Sequence, residues 1–271
     1  MRLDGSVALV TGASSGIGRA LVPLLARRGA QLLLTGRDPD ALAAAAASGA
    51  GSGARAIPAD LADPAEVARV AATALEGDGR VDLLVCNAGA GWAGPLAEMP
   101  LDRAEQLVAL NLLAPVRLTR LLLPGMLERG RGHLVFVTSI AGATGVGGEA
   151  VYAATKGGLA TFAASLREEL AGSGSGGVGV SVVVPGVVDT PFFERRGTPY
   201  ARTWPRPIPP ERVARALVHA VESGRAEVFA PAWMRFPARL AGSAPALYRT
   251  LAIRFGATGR ARSRQSPGGT V

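Results

Sequence analysis

The chain has 271 residues, of which 48% are hydrophobic, so it can bury a full core and is most simply one domain. Its net charge is +8, but seven arginines and no acidic residue lie in 232–271, so most of this excess belongs to the tail. Because residues 1–231 are nearly neutral, we expect no basic face on the body and exclude nucleic-acid binding as the main function.

A single cysteine, Cys86, excludes a disulfide framework and a thiolate metal site. The two histidines, His133 and His219, lie far apart in the sequence, and we expect no metal site. The chain has neither a signal-peptide pattern nor an apolar stretch that we judge long enough to span a bilayer. We therefore expect a cytoplasmic protein.

Short apolar runs alternate with longer helical stretches along the body. Strands are predicted at 7–11, 31–35, 55–58, 83–86, 132–139, 178–184 and 227–230, and helices at 16–28, 39–48, 64–76, 101–128, 150–171 and 210–223. Apolar strands separated by helices pair in parallel, with helices on both faces. The sequence predicts an α/β fold, a doubly wound sheet of about seven strands that binds ligands at its carboxyl ends.

A glycine-rich turn joins the first predicted strand to the first helix. It runs from Thr11 to Gly18 and has the sequence T-G-A-S-S-G-I-G. Glycines at such a turn let the backbone approach a pyrophosphate, and the helix N-terminus supplies free N–H groups. The turn predicts a phosphate-binding loop, with a plain tight turn as the alternative.

The chain contains 28 arginines and one lysine, Lys156, which stands four residues after Tyr152. Residues at this spacing lie on the same face of a helix. Lysine is a compact point charge that can sit close to a phenol or to ribose hydroxyls. The spacing favours a functional pair over a stray lysine in an arginine-rich composition.

Several short motifs occur in the order found in a known protein family. They are Thr11 to Gly18, Asn87-Ala88-Gly89, Asn111, Ser139 thirteen residues before Tyr152, Tyr152-x-x-x-Lys156 and Pro185-Gly186. Over residues 4–231 the chain resembles the short-chain dehydrogenase/reductases. The resemblance implies a Rossmann-like dinucleotide-binding and catalytic domain at 1–231, a lid at about 187–210, and a homodimer or homotetramer.

The resemblance also implies roles for four residues. Tyr152 would exchange a proton with the substrate oxygen, and Lys156 would hold the nicotinamide ribose. Ser139 would bind the substrate oxygen, and Asn111 would anchor a water that relays protons to Lys156. A free phenol titrates near pH 10, so Tyr152 needs its pKa lowered by roughly three units to work near neutrality, and the ammonium and the nicotinamide cation both act in that direction. Taken alone, Ser139 also fits a turn at a strand end, and Asn111 fits a helix kink.

The end of the second predicted strand favours NADP over NAD. Many NAD-using relatives place an acid there, whereas this chain has Gly36 followed by Arg37, whose guanidinium can clamp a 2′-phosphate. Asp38 is a mild counter-signal that helix capping explains. The resemblance implies further cofactor contacts at Gly12, Ser14, Ser15, Gly16, Ile17, Gly18, Asp60, Leu61, Asn87, Ala88, Gly89, Tyr152, Lys156, Pro185, Gly186, Val188 and Thr190.

Aromatic residues concentrate in the lid. Phe192 and Phe193, with Trp92 and Val146, suggest an apolar pocket for a lipophilic ketone or alcohol, although packing of the lid on the body explains them equally well. The predicted function is NADP-dependent hydride transfer between the nicotinamide and a carbonyl or secondary alcohol. The alternatives are an enoyl reductase, whose relatives space tyrosine and lysine more widely, and a non-catalytic nucleotide-sensing protein.

Residues 232–271 extend beyond the resemblance. Leu247, Tyr248 and Leu251 stand at helical spacing among arginines, a pattern that can lie on an anionic membrane. We favour folding back over the substrate pocket or a subunit interface, because the apolar stripe is short and broken by proline. The end of the chain, which holds Arg260, Arg262 and Arg264, is predicted to be disordered.

Overall fold

The structure, a computed structural model, describes residues 1–49, 51, 53–76, 79–172 and 177–254. Within these residues one parallel sheet has seven strands in the order β3-β2-β1-β4-β5-β6-β7. The strands are β1 (Val7–Thr11), β2 (Gln31–Gly36), β3 (Arg55–Pro58), β4 (Leu83–Cys86), β5 (Gly132–Val137), β6 (Val178–Pro185) and β7 (Glu227–Ala230). This architecture confirms the predicted doubly wound α/β fold.

Helices cover both faces of the sheet. They are α1 (Gly16–Ala26), α2 (Pro39–Ser48), α3 (Pro64–Glu76), α4 (Leu101–Val108), α5 (Ala114–Glu128), α6 (Ile140–Thr144), α7 (Ala150–Gly172), α8 (Phe192–Arg195), α9 (Pro210–Ser223), α10 (Arg235–Ser243) and α11 (Pro245–Arg254). Helices α1, α2 and α9 pack on one face, and α3, α5 and α7 pack on the other. The core is therefore two apolar layers separated by the sheet.

Strand β5 illustrates how the sequence builds both layers at once. All six of its residues, Gly132–Val137, are buried. Leu134 and Phe136 enter one layer, whereas Val135 and Val137 enter the other, because successive side chains of a strand point to opposite faces. A continuous apolar run is typical of a central parallel strand that is covered on both sides.

The strand predicted at 132–139 ends earlier in the structure. Ser139 has extended backbone geometry and begins α6, where its Oγ accepts a hydrogen bond from the backbone N–H of Ala141 at 3.2 Å. Serine is favoured at this N-cap position because its oxygen satisfies a free helix N–H. The cap therefore fixes Ser139 at the carboxyl edge of the sheet.

One helix corrects the expectation that no apolar stretch could span a bilayer. By length and composition alone, the continuous helical stretch Leu101–Glu128 among the described residues is long and apolar enough to cross a membrane. It contains α4, a π-helical turn at Ala109–Leu113 and α5. Its α5 part packs against α3 and buries Leu118, Leu122 and Met126 in the core. These contacts are those of a core helix.

The two C-terminal helices fold back toward the body. Helix α10 contacts both α6 and α11, so this segment lies beside the short helix that Ser139 begins. The end predicted to be disordered, which holds Arg260, Arg262 and Arg264, lies outside the described residues.

Candidate active site

A cavity of about 1320 Å³ opens at the carboxyl ends of the strands. Residues that follow six different strands line it, namely Gly12, Arg37, Asp60, Asn87, Ser139 and Gly186. The carboxyl edge is where ligands bind in open parallel sheets of this kind. The sheet order thus gathers segments that are distant in sequence into one site.

The glycine-rich turn forms a tight cradle at one side of the cavity. A Cβ at Gly18 would collide with the carbonyl oxygen of Gly12, so only glycine fits this crossing of α1 over the turn. Ser15 stands at the N-cap of α1 without capping it through its side chain. The first N–H groups of α1 thus border the cavity, an arrangement that suits a pyrophosphate.

Hydrogen bonds hold the cradle to the end of β4. Thr11 Oγ1 accepts from the backbone N–H groups of Asn87 and Ala88, each at 2.9 Å. The Asn87 side chain donates in return to the carbonyls of Thr11 and Gly12, at 2.9 and 3.2 Å. No role was predicted for Thr11 from the sequence, although its place directly before the first glycine of the turn was the available signal.

Arg37 and Ser14 stand together at the end of β2. Both line the cavity. Ser14 packs against Gly36, where a Cβ would lie only 3.0 Å from Ser14 Oγ, so the absence of a side chain at Gly36 leaves room for the hydroxyl. Asp38 accepts a hydrogen bond from the N–H of Ala41 at 3.0 Å and begins α2, as its predicted capping role requires. A guanidinium and a hydroxyl therefore face this end of the cavity.

Close packing of α6 on α7 brings Ser139 next to Tyr152. A Cβ at Gly142 would lie 2.6 Å from the backbone nitrogen of Gly157, so the two helices approach as only glycine allows. Both side chains line the cavity, and hydrogen bonding by Ser139 acts to lower the pKa of Tyr152. Lys156 is 4% exposed, lines the same cavity one turn later, and donates to the carbonyl of Val137 at 2.9 Å.

Burial dominates the ionisation of this pair. It raises the pKa of Tyr152 to about 12, and although the Ser139 hydrogen bond and Arg196 oppose this, Glu149 reinforces it. Burial lowers the pKa of Lys156 to about 8. In the protein alone the pKa of Tyr152 is therefore raised, because desolvation of the phenol outweighs the charges around it. The lowering by Lys156 together with the nicotinamide cation stays a prediction.

Asn111 lies in the π-helical turn and is fully buried. Its amide accepts from the N–H of Ala90 and donates to the carbonyl of the same residue, each at 2.9 Å, and it also donates to Thr155 Oγ1 at 3.1 Å. π-Helical turns occur often at functional sites. This turn locks the strand-end segment beside Gly89 onto α7, and its assignment as a water anchor stays a prediction.

The lid makes contacts that were not predicted from the sequence. Arg195 Nη1 donates to Ser15 Oγ at 2.9 Å, so α8 reaches the glycine-rich turn. Arg196 forms an ion pair with Glu149 at 2.5 Å, and the two side chains are only 8% and 16% exposed. The Phe192 ring lies 5.4 Å from the Tyr152 ring. Arg195 and Arg196 belong to no motif, so their position within one helical turn of Phe192 was the only available signal for these contacts.

Most predicted site residues line the cavity, with three exceptions among the described residues. Gly18 and Asn111 support the lining from behind. Of the predicted substrate residues, Val146, Phe192 and Phe193 line the cavity, whereas the Trp92 indole packs over Gly94 beside a separate small crevice. Trp92 therefore contributes to the packing around Tyr152 instead of to the cavity wall.

Comparisons with known proteins agree with this geometry. A family model described as short chain dehydrogenase matches residues 6–200. The 1-deoxy-11-beta-hydroxypentalenate dehydrogenase of Streptomyces exfoliatus is 40% identical over 234 residues, which are 84% of each chain.

Two solved structures extend the likeness to the whole fold. A short-chain dehydrogenase from Sphingobium yanoikuyae in complex with NADPH has a TM-score of 0.77 and 29% identity, covering 96% of this chain and 99% of that one. A short chain dehydrogenase/reductase from Burkholderia phymatum in complex with NAD has a TM-score of 0.81 and 26% identity over the whole of both chains. The matched sequence and the site geometry agree: this chain belongs to the short-chain dehydrogenase/reductase family and is an NAD(P)-dependent oxidoreductase.

Proposed function

We propose that the protein is an NADP-dependent carbonyl reductase or secondary-alcohol dehydrogenase. One observation carries the proposal: Ser139, Tyr152 and Lys156 line the same cavity as the glycine-rich turn and Arg37. The residues therefore fit a dinucleotide that extends from Arg37 to Tyr152. When bound, its nicotinamide supplies or accepts the hydride.

The chain's own residues would hold and move the proton. A phenol whose pKa lies near 12 is protonated at neutral pH, so Tyr152 can donate its proton to a substrate oxygen during reduction. Ser139 would hold that oxygen by a hydrogen bond, and Lys156, deep in the cavity, would bind the ribose hydroxyls. In oxidation Tyr152 would act as the base, and a cation near it would assist the loss of its proton.

The proposed preference for NADP depends on the end of β2. Arg37 can bind a 2′-phosphate through two parallel N–H groups, and Ser14 can add a hydrogen bond. A carboxylate here would instead favour the free ribose hydroxyls of NAD. Of the two neighbours described above, one is in complex with NADPH and the other with NAD, so these residues are the basis for the choice.

We infer a lipophilic substrate from the far end of the cavity. Phe192, Phe193 and Val146 line it, together with Leu240 and Leu251 from the C-terminal helices. Such an apolar wall favours a hydrocarbon skeleton that bears one reactive oxygen. The Streptomyces relative is named for dehydrogenating a hydroxy compound, which supports an alcohol or ketone.

Membership of the family is the basis for proposals on domain organisation, assembly and location. We propose one catalytic domain at 1–231, with a C-terminal extension that completes the pocket. We also propose a homodimer or homotetramer that works in the cytoplasm.

The test is a fluorescence titration with NADPH and NADH, followed by turnover of a panel of ketones. We expect tighter binding of NADPH and reduction of an apolar ketone. Tyr152→Phe should abolish turnover while retaining the fold and cofactor binding. Preference for NADH would refute the cofactor assignment, near-normal turnover by Tyr152→Phe would refute the catalytic one, and reduction of enoyl substrates alone would replace the reaction class.

A further inference from the structure

The rim of the cavity has an exposed apolar surface. Trp204 from the lid and Trp233 from the segment before α10 stack, with ring centroids 5.1 Å apart. Both line the cavity, yet Trp204 is 64% exposed, and Phe236 beside them is 61% exposed. The lid and the C-terminal helices thus form one continuous rim whose outer side faces solvent.

Helices α10 and α11 continue this surface away from the cavity. Leu240, Leu251 and Ala252 turn toward the cavity, whereas Leu247 and Ile253 point outward and are 52% and 66% exposed. We name the exposed side chains of Trp204, Trp233, Phe236, Leu247 and Ile253 the rim surface. Exposed apolar groups concentrated around a cavity mouth are typical of an interaction site.

The two segments that carry the rim surface have charges of one sign. Residues 198–208 and 232–254 carry six arginines and no acidic residue. Four of them, Arg235, Arg239, Arg249 and Arg254, are exposed on the C-terminal helices. Arg235 also lies over the Phe236 ring, 4.9 Å from its centroid, so a cation and an aromatic ring are presented together.

We propose that the rim surface docks the cavity mouth on an anionic phospholipid membrane. Tryptophan and phenylalanine partition to the headgroup region, and arginines beside them attract anionic lipids. One face of the helices completes the cavity while the opposite face rests on lipid, so folding back and membrane contact are compatible. If the proposed function holds, a lipophilic substrate can pass from the bilayer into the cavity without crossing water.

Charge favours a lipid surface over a second copy of the chain. Two copies joined through this surface would bring arginine clusters of the same sign together, which opposes association. A surface with headgroup phosphates neutralises every arginine and also buries the aromatic side chains. Vesicle binding requires no turnover, so its measurement stands apart from the proposed enzymatic activity.

The experiment is co-sedimentation of the full chain with vesicles. We expect binding to vesicles of phosphatidylcholine that contain phosphatidylglycerol, release by high salt, and no binding to phosphatidylcholine alone. The triple variant Arg239→Gln, Arg249→Gln, Arg254→Gln should bind about 100-fold more weakly, since each basic residue near an anionic surface contributes about fivefold. None of these arginines lines the cavity, so turnover of a water-soluble ketone should not change.

A matched control distinguishes binding through the rim surface from a general effect of the protein's positive charge. Arg27→Gln, Arg131→Gln, Arg215→Gln removes the same charge from exposed positions elsewhere and should bind vesicles nearly as the wild type does. Equal losses in both triple variants would overturn the proposal, as would wild-type protein that does not sediment with anionic vesicles.

A variant that removes two exposed apolar side chains tests the alternative occupant of the rim surface, a second copy of the chain. Leu247→Ser, Ile253→Ser should weaken vesicle binding by at least roughly tenfold, because exposed leucine and isoleucine gain their transfer free energy only on burial. A smaller assembly in size-exclusion chromatography with unchanged vesicle binding would instead identify an interface between copies and overturn the proposal. The exposed leucines Leu96 and Leu101, changed to serine, provide the control.

Discussion

Replacing Lys156 with methionine should stabilise the protein while it abolishes turnover. The lysine is buried, and its ammonium donates one hydrogen bond to the Val137 carbonyl. A methionine has a similar unbranched stem and removes the buried charge. An active-site residue of this kind contributes to function at the expense of stability.

The size of the effect follows from the lowered pKa. Burial lowers the pKa of Lys156 from 10.5 to about 8. This shift corresponds to a cost of about 3 kcal/mol for keeping the group charged in the folded protein at neutral pH. Loss of the hydrogen bond to Val137 costs about 1 kcal/mol. We expect the free energy of unfolding of Lys156→Met to exceed that of the wild type by about 2 kcal/mol at pH 7.

The advantage should disappear in alkaline solution. Between pH 8 and pH 10.5 the unfolded wild type keeps this proton while the folded protein releases it, so its stability rises with pH. Below pH 8 the cost is fully present. The difference between Lys156→Met and wild type should therefore be largest at neutral pH and shrink toward pH 10.5.

Urea denaturation of the cofactor-free proteins at several pH values measures this difference. Lys156→Arg is the matched control, because it keeps a charge at all these pH values and should gain no stability. Turnover should be lost in Lys156→Met and severely reduced in Lys156→Arg, whose broad guanidinium cannot replace a compact ammonium. A methionine variant less stable than wild type at pH 7, or a difference independent of pH, would refute the reasoning.

Three further predictions concern the cofactor loop, cofactor choice and acid stability. Gly18→Ala should weaken NADPH binding roughly ten- to hundredfold in a fluorescence titration, because a methyl group forced against Gly12 costs about 1–3 kcal/mol. Arg37→Asp should weaken NADPH binding by several kcal/mol and improve NADH binding, since a clamp becomes a like-charge contact; unchanged selectivity would contradict the assignment. Burial lowers the pKa of His133 to about 4, so as pH falls from 6.5 to 4 the wild type should lose about 3 kcal/mol of stability. In acid denaturation His133→Gln should lack most of this loss, and His219→Gln should retain it.

The sequence predicted the sheet well because its signals are local. Apolar runs of strand length, separated by helices, allow few arrangements other than a parallel sheet, and the seven strands occur where they were expected. The residues that line the cavity could be predicted from the sequence for the same reason. Turns at strand ends gather at one edge whatever the distant parts of the chain do.

The contacts of the lid could not be predicted from the sequence, because they join residues that are far apart in the chain and meet only in the folded protein. Arg195 and Ser15 are 180 positions apart, and Arg196 and Glu149 are 47 apart. In a chain with 28 arginines, no motif distinguishes Arg195 and Arg196 from the others. The raised pKa of Tyr152 in the protein alone was not predicted for a related reason, since burial is a property of the folded protein and not of the spacing between Tyr152 and Lys156.

The single lysine has a consequence for chemical probing. The sequence offers one side-chain amine, and it lies buried in the cavity against Val137. Lysine-directed cross-linkers should therefore report nothing about assembly, and acetylation or ubiquitination of lysine finds no exposed acceptor on the described surface. An amine-reactive label small enough to enter the cavity would modify one side chain, and protection by a bound dinucleotide would measure occupancy of the site directly.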